Sequence, residues 1–287
     1  MFDWLAGLLQ QRKPLPPVEL AQKPLPELKP QWVLSKPRFV TNNLHLVDRE
    51  KGSDFIVLGS GPSIQRFNRG FREGKRLITL CGAQSSVSGD YYFPDSTSAG
   101  WNGLRSYVSS GQTLLMPASL HHPAFVRELD AFTDLDVKWF QSTTAPANDL
   151  KWYHRPAPYE HRWWIDNKFI PHNTGAQAAA TAVSLAIIMG AKNIYLAGVD
   201  GFADLLRKDK PLYIDEFCNA HYQKHLEKTQ IHKYEHLKQR ELRDAADRFI
   251  FGQIRIYCQS IGTGIYVLNE DSHLNGVLSL VQESERI

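Results

Sequence analysis

Residues 54–64 read Asp-Phe-Ile-Val-Leu-Gly-Ser-Gly-Pro-Ser-Ile, an apolar run that ends in a turn of small residues. Such a run, without polar alternation, is typical of a strand buried on both faces of a parallel sheet. The turn Gly59-Ser60-Gly61 would let the backbone approach a ligand closely, because glycine has no Cβ and accepts positive φ. Ile64 stands where the dinucleotide fingerprint has its third glycine, so an NAD site is disfavoured. A different nucleotide-binding turn, with the Ser63 hydroxyl near a phosphate, and a purely structural turn both remain open.

A second block of this kind follows more than a hundred residues later. The turn Asn173-Thr174-Gly175 opens an alanine-rich helix predicted over 174–189, and an apolar strand predicted over 193–197 ends in Gly198-Val199-Asp200. Ligands of open α/β sheets bind beyond the carboxyl ends of the strands, where both turns should lie. We therefore expect one nucleotide site, with candidate residues Gly59, Ser60, Gly61, Ser63, Asn173, Thr174, Gly175, Gly198 and Asp200.

Strand and helix patterns alternate along the rest of the chain. Strands are predicted at 55–58, 76–80, 91–93, 113–116, 137–140, 193–197, 254–258 and 265–268, and a long charged helical stretch at about 221–251. Alternation of this kind predicts an α/β fold with a doubly wound, mainly parallel sheet. We assign residues 39–287 to this α/β domain.

The first 38 residues have a different character. Residues 1–13 carry leucines at helical spacing, which predicts an amphipathic helix, and 14–38 form a proline-rich tether. The helix could pack against its own domain, against a sister subunit in a homo-oligomer, or in the headgroup layer of a membrane.

Composition limits the class of protein. A formal charge of +3 over 287 residues is too small to indicate a nucleic-acid partner. The three cysteines lack metal-ligand spacing, and no apolar stretch is long enough to span a membrane. With no signal peptide evident, we expect a cytoplasmic protein, alternatively one held at the inner face of the cytoplasmic membrane.

Three further motifs have competing interpretations. Asp134-Leu135-Asp136 matches the Asp-x-Asp that holds metal on sugar nucleotides, but it precedes a strand and so falls at the wrong edge of the sheet. His221, His225, His232 and His236 share a helical stretch and offer a general base or a solvated face, whereas a metal site is disfavoured. The aromatic and cationic block 151–164 is either a lid that stacks on sugar or an aromatic core.

Together these blocks resemble the bacterial family 42 sialyltransferases. That family has a strand ending in Gly-Asn-Gly-Pro-Ser-Leu, a Thr-Ser-Gly turn before an alanine-rich helix, and a strand of the type Ile-Tyr-Leu-x-Gly-Ile-Asp. A His-x-x-x-His segment then precedes a strand ending Leu-Tyr-Cys. The corresponding segments here are 59–64, 173–175, 194–200, 232–236 and 254–258. Maf-type flagellin glycosyltransferases and pterin pyrophosphokinase-like proteins share the first turn.

The resemblance implies a single GT-A-like domain with a lid, here at about 141–172 and 203–235. It implies a CMP-sugar donor, no metal and no other cofactor. His236 would be the catalytic base. The phosphate-binding tyrosines have no exact match, because Phe202 stands at the first position, and the candidates are Tyr213 and Tyr222. The family's asparagine after the second strand has no match here, and Gly82 and Gln84 are the nearby candidates. Pro171 stands where the family has an arginine shortly before the Thr-Ser-Gly turn.

The function this implies is inverting transfer of an acidic sugar (sialic acid, pseudaminic acid or Kdo type) to a surface glycan or glycolipid, as in lipopolysaccharide biosynthesis. An ATP-using diphosphokinase is an alternative, and it would need magnesium ligands at the carboxyl edge, such as Asp200 with Asp204 or Asp95. A non-catalytic glycan-binding relative is the other alternative.

Overall fold

The computed structural model describes residues 43–94, 108, 111–117, 136–140, 178–208, 210–213, 220, 223, 227 and 237–281, with only the backbone of 31–33, 38–40, 142–144, 170–172 and 233–236. Two pairs of short strands lie outside the main sheet. β1 (Gln31–Val33) is antiparallel to β2 (Arg38–Val40), and β8 (Ser142–Thr144) is parallel to β9 (Ile170–His172). The predicted helix 1–13 and most of the predicted tether and lid segments lie outside the described residues.

The main sheet has eight strands. They are β3 (Asp54–Leu58), β4 (Arg76–Leu80), β5 (Tyr91–Phe93), β6 (Thr113–Pro117), β7 (Asp136–Phe140), β10 (Asn193–Ala197), β11 (Gly264–Val267) and β12 (Ser279–Leu280). Their spatial order is β12-β11-β10-β3-β4-β5-β6-β7, and every neighbouring pair is parallel. The chain thus runs outward from β3 to one side and later from β10 to the other. The predicted doubly wound, mainly parallel, Rossmann-like α/β sheet is confirmed.

Three helices are described: α1 (Ala178–Ile188), α2 (Phe202–Arg207) and α3 (Lys233–Ser260). Every residue of α1 after Ala178 is buried, as expected for a helix that is apolar all round and lies between the sheet and α3. Gly190 has φ +90° just after it, so the predicted C-terminal glycine is confirmed. Among the described helices, none combines the length and apolar character needed to cross a bilayer.

The two faces of the sheet are covered differently. Phe55 and Val57 point into the larger core, which α1 and α3 close. Ile56 and Leu58 point to the opposite face, where the described chain packs short 3-10 turns at Pro62–Arg66, Arg69–Arg72 and Cys81–Ser85. Burial on both faces explains why these strands are continuous apolar runs.

One predicted strand is wrong. Residues 254–258 lie in α3, although their β-branched and aromatic side chains favour a strand. Ile254, Tyr257 and Cys258 are buried while Ile256 is 51% exposed, which is the i, i+3, i+4 pattern of a helix against a core. Consequently the segment aligned with the family's strand ending Leu-Tyr-Cys is helical here, and it belongs to the same helix as His236.

Candidate functional site

The two glycine turns meet where the sheet changes its direction of winding. β3 and β10 are neighbours at the centre of the sheet, and the turns at 59–61 and 198–201 leave their carboxyl ends. This is the topological switch point at which open α/β sheets bind ligands. Two segments more than a hundred residues apart therefore share one location, as predicted.

The glycines at this point are required by contact between the two backbones. A Cβ on Gly59 would lie 2.4 Å from the carbonyl oxygen of Gly198, and one on Gly198 would lie 2.3 Å from the carbonyl oxygen of Gly59. Gly198 also has φ +64°. The Gly59 and Gly61 amides donate to the carbonyls of Ala197 and Gly198 at 2.8 and 2.9 Å. The turns thus continue the strand pairing past the end of the sheet.

Asp200 fixes the geometry of the first turn. It is 6% exposed, and its two carboxylate oxygens accept from the Ser63 amide at 2.8 Å and the Ser63 hydroxyl at 2.6 Å. Asn269 donates to the Ser63 hydroxyl at 2.8 Å, and Ser272 donates to the Val199 carbonyl at 2.7 Å. Three segments, following β3, β10 and β11, are therefore joined by hydrogen bonds that are buried or partly buried.

These contacts reduce the number of hydrogen-bond donors that the predicted residues can present to a ligand. The amides of Gly59, Gly61 and Ser63 and the hydroxyl of Ser63 all donate within the protein, so they position the turn. Ser60 lies between the two glycines, is partly exposed and has no hydrogen bond to the described part of the chain. Among the described residues of this turn, Ser60 is the one whose hydroxyl is not engaged by another described residue.

Gln84 faces away from the switch point. Its side-chain amide exchanges hydrogen bonds with Gln112 at 2.8 and 3.0 Å and accepts from the Gly89 amide at 3.3 Å. Gln112 and Gly89 precede β6 and β5, so the side chain braces the amino ends of those strands. Gly82 is buried in the 3-10 turn after β4, next to Cys81, which has φ +46°.

The predicted catalytic residues are only partly described. Tyr213 is half-buried, and its ring makes a T-shaped contact with the Phe202 ring, with centroids 5.5 Å apart. The Arg240 guanidinium lies over the Phe202 ring, 4.9 Å from its centroid. Tyr222, Asn173, Thr174 and Gly175 lie outside the described residues.

The backbone position of His236 follows from the length of α3. A helix of 28 residues is about 42 Å long, whereas a five-residue strand spans only about 17 Å. α3 runs antiparallel to the strands, because it connects the carboxyl end of β10 with the amino end of β11. Asp244 contacts residues 202 and 203 just past β10. The earlier turns of α3, including His236, therefore extend beyond the carboxyl edge.

A cluster that sequence reasoning missed lies beside the second turn. Asp244, Asp247 and His273 bring ligand atoms within 4.8 Å of one another. Asp244 accepts from the amides of Phe202 and Ala203 at 3.3 and 2.8 Å, and burial raises its pKa although these hydrogen bonds act to lower it. The signal in the sequence is only Asp-x-x-Asp in a charged helix, and nothing local connects it with His273.

Of the predicted Asp-x-Asp motif, the structure describes Asp136, which lies at the expected edge. Asp136 begins β7 at the amino edge, where it pairs with Lys138 at 2.6 Å and Arg49 at 3.7 Å. Asp134 lies outside the described residues. A groove lined by Arg69, Arg72, Lys75 and Arg76 also lies at this amino edge, opposite the switch point.

No family model matches this chain, and no curated protein sequence matches it. The fold is similar to solved sialyltransferases of Campylobacter jejuni. One is CstII in complex with the substrate analogue CMP-3FNeuAc, with 16% identity, a TM-score of 0.42, and 80% of this chain and 86% of that chain covered. Another is an alpha-2,3-sialyltransferase in apo form, with 15% identity, a TM-score of 0.39 and 84% of each chain covered.

Proposed function

We propose that this protein is an inverting glycosyltransferase that moves an acidic sugar from a CMP-activated donor to a glycan acceptor. The observation that carries the proposal is the meeting of the 59–61 and 198–201 turns at the switch point. These are two of the blocks on which the resemblance to family 42 sialyltransferases rests. Their buried hydrogen bonds support a preorganised binding surface, which is what stabilisation of a developing charge requires.

The donor would lie across the two turns. Ser60 is the candidate for a hydrogen bond to the donor phosphate, since the neighbouring amides are engaged within the protein. α1 also begins at this edge, because a crossover helix starts at the carboxyl ends of the strands, and Thr174 precedes α1 in the sequence. Partial positive charge at a helix N-terminus favours a phosphate.

His236 is proposed as the general base. It would take the proton of the acceptor hydroxyl while the acceptor oxygen bonds to the anomeric carbon. The bond from that carbon to the phosphate oxygen breaks, and CMP leaves with the electron pair as a phosphate monoester. The extension of α3 beyond the carboxyl edge supports this role, because a base must lie within hydrogen-bond reach of the acceptor.

The contacts of the acidic residues at this edge argue against the diphosphokinase alternative. The Asp200 carboxylate is engaged by Ser63, and Asp204 is paired with Lys208 at 2.6 Å on the surface. These two carboxylates are therefore not arranged as a shared magnesium site.

A panel of nucleotides tests the donor class. CMP should raise the unfolding temperature in the absence of added metal, whereas UDP, GDP and ATP should have little effect. A ligand at about a hundredfold excess over its dissociation constant stabilises by about 2.7 kcal/mol. Ser60→Ala should weaken CMP binding, and the matched change Ser279→Ala in exposed β12 should leave it unchanged. Stabilisation by ATP with magnesium, and none by CMP, would favour the diphosphokinase.

Transfer assays test the base. His236→Ala should lower the rate of transfer from a CMP-activated acidic sugar by about a hundredfold or more, while CMP binding changes little. The wild-type rate should decline towards acid pH, because a protonated imidazole cannot accept the proton. His232→Ala is the control four residues away and should cost much less. Equal losses in both variants would place the base elsewhere, and no turnover of any CMP-sugar by the wild type would favour a non-catalytic binding protein.

A further inference from the structure

We propose that Asp244, Asp247 and His273 bind one divalent transition-metal ion, independently of the proposed transfer activity. Asp244 and Asp247 are three residues apart on α3 and so lie on the same side of the helix. His273 comes from the segment after β11 and meets them from the other side. Two carboxylates and one imidazole thus converge, with their ligand atoms within 4.8 Å of one another.

The burial of this cluster is what distinguishes it from an ordinary surface group of acids. Asp247 is fully buried, and the His273 side chain is 9% exposed. Within the described part of the chain, neither ring nitrogen of His273 has a hydrogen-bond partner. Its Nε2 lies 3.6 Å from a carboxylate oxygen of Asp247, an ion-pair contact that is too long for a hydrogen bond. A buried imidazole without a hydrogen bond is costly, and a bound cation would satisfy it.

The surroundings orient the cluster as they would a metal site. Asp244 is held by the amides of Phe202 and Ala203, and ligating carboxylates in proteins are commonly hydrogen-bonded in this way. His273 also packs on Gly201, where a Cβ would lie 2.7 Å from the Cβ of His273 and 2.9 Å from a carboxylate oxygen of Asp244. A side chain at position 201 would therefore push into the cluster.

The donor set selects the class of ion. Imidazole with carboxylates suits Zn²⁺, Mn²⁺, Fe²⁺ and Co²⁺, whereas Mg²⁺ and Ca²⁺ prefer oxygen ligands alone. Ligands about 2.0–2.2 Å from an ion lie at most about 4.4 Å apart, so the three groups need only a small contraction. The ion would join α3 to the loop after β10 and to the segment after β11.

Metal binding to the full-length chain tests the proposal. After treatment with EDTA, the protein should take up one tight equivalent of Zn²⁺ or Mn²⁺ by calorimetry, and Mg²⁺ should not compete. Asp247→Asn and His273→Gln should each lower the affinity at least about tenfold, since even changes behind the ligands cost that much. Asp204→Asn, an exposed acid paired with Lys208, is the control and should bind like the wild type.

Two results would overturn the proposal: no tight equivalent in the wild type, or tight binding that survives both Asp247→Asn and His273→Gln. The chain has eleven histidines, so weak additional uptake decides nothing and only the tight equivalent is scored. If either variant fails to fold, the wild type alone provides the test. One equivalent of Mn²⁺ should broaden the ring resonances of His273 before those of other histidines, and broadening elsewhere first would contradict the site.

Discussion

The acidic side chains at the two edges of the sheet lie in different environments. At the amino edge, Glu50 accepts from Arg76 at 2.8 Å and from the Tyr91 hydroxyl, and Asp136 pairs with two cations. Most of these side chains remain partly in water. At the carboxyl edge, Asp200 and Ser63 are buried and hydrogen-bonded to each other.

This difference separates a tolerant edge from a constrained one. Partly exposed ion pairs contribute little, about 0–1 kcal/mol each, because water and salt screen them. A buried polar group left without its partner costs about 1–3 kcal/mol. The carboxyl edge is therefore held in one geometry by contacts that are expensive to break, as a binding surface formed in advance must be.

The largest expected effect comes from the closest backbone contact. Gly59→Ala places a Cβ 2.4 Å from the Gly198 carbonyl, where only backbone movement can relieve the clash. We expect a loss of at least about 3 kcal/mol in the free energy of unfolding, or failure to fold. Gly74→Ala, at the amino edge, is the control: its φ is +70° with nothing nearby, so it should cost about 1–2 kcal/mol. Urea unfolding measures both free energies, and equal losses in Gly59→Ala and Gly74→Ala would contradict the difference between the two edges.

The next effect comes from the buried carboxylate. Asp200→Ala leaves the Ser63 amide and hydroxyl without their acceptor and should cost about 2–3 kcal/mol. Asp200→Asn should cost less, because the Ser63 hydroxyl can turn to accept from the new amide. The matched change Asp136→Ala, whose carboxylate is 44% exposed, should cost about 0–1 kcal/mol. Chemical unfolding of the three variants measures this, and an Asp136→Ala cost as large as that of Asp200→Ala would contradict it.

A smaller effect depends on pH and belongs to the amino edge. Burial, with the hydrogen bond to Glu50, raises the pKa of Tyr91 to about 12 from an ordinary value of 10.0. The folded state thus favours the neutral phenol. Its contribution is fully present below pH about 10 and is lost as pH rises towards about 12. Unfolding free energies measured across this range should fall more steeply in the wild type than in Tyr91→Phe. Identical slopes would mean that Tyr91 ionises normally.

The sequence predicts much of the carboxyl edge because its signals are local. Of the eight strands predicted from apolar runs, seven are present in the structure. The small-residue turns after β3 and β10 predicted the position of the switch point. The strand prediction for 254–258 is wrong because strand-favouring residues can also line one side of a helix. Only the packing of α3 decides between strand and helix for this segment. That error also weakens the part of the resemblance that placed His236 by its spacing to a strand.

Other features depend on contacts between distant segments and leave no local signal. Gln84 follows β4 as a binding residue might, but its amide turns to Gln112, 28 residues away. Ser63 has the residue type of a phosphate ligand, yet Asp200, 137 residues away, engages it. The meeting of His273 with Asp247 likewise requires the order of β10 and β11 in the sheet.

We propose that a cytidine nucleotide binds at the carboxyl edge, between the turns at 59–61 and 198–201. Hydrogen–deuterium exchange of the full-length chain with and without CMP tests this binding most directly. We expect slower exchange in peptides covering 59–64 and 198–203, with no change in the peptide covering 69–76 at the amino-edge groove. Protection confined to 69–76, or no protection anywhere under saturating CMP, would contradict it.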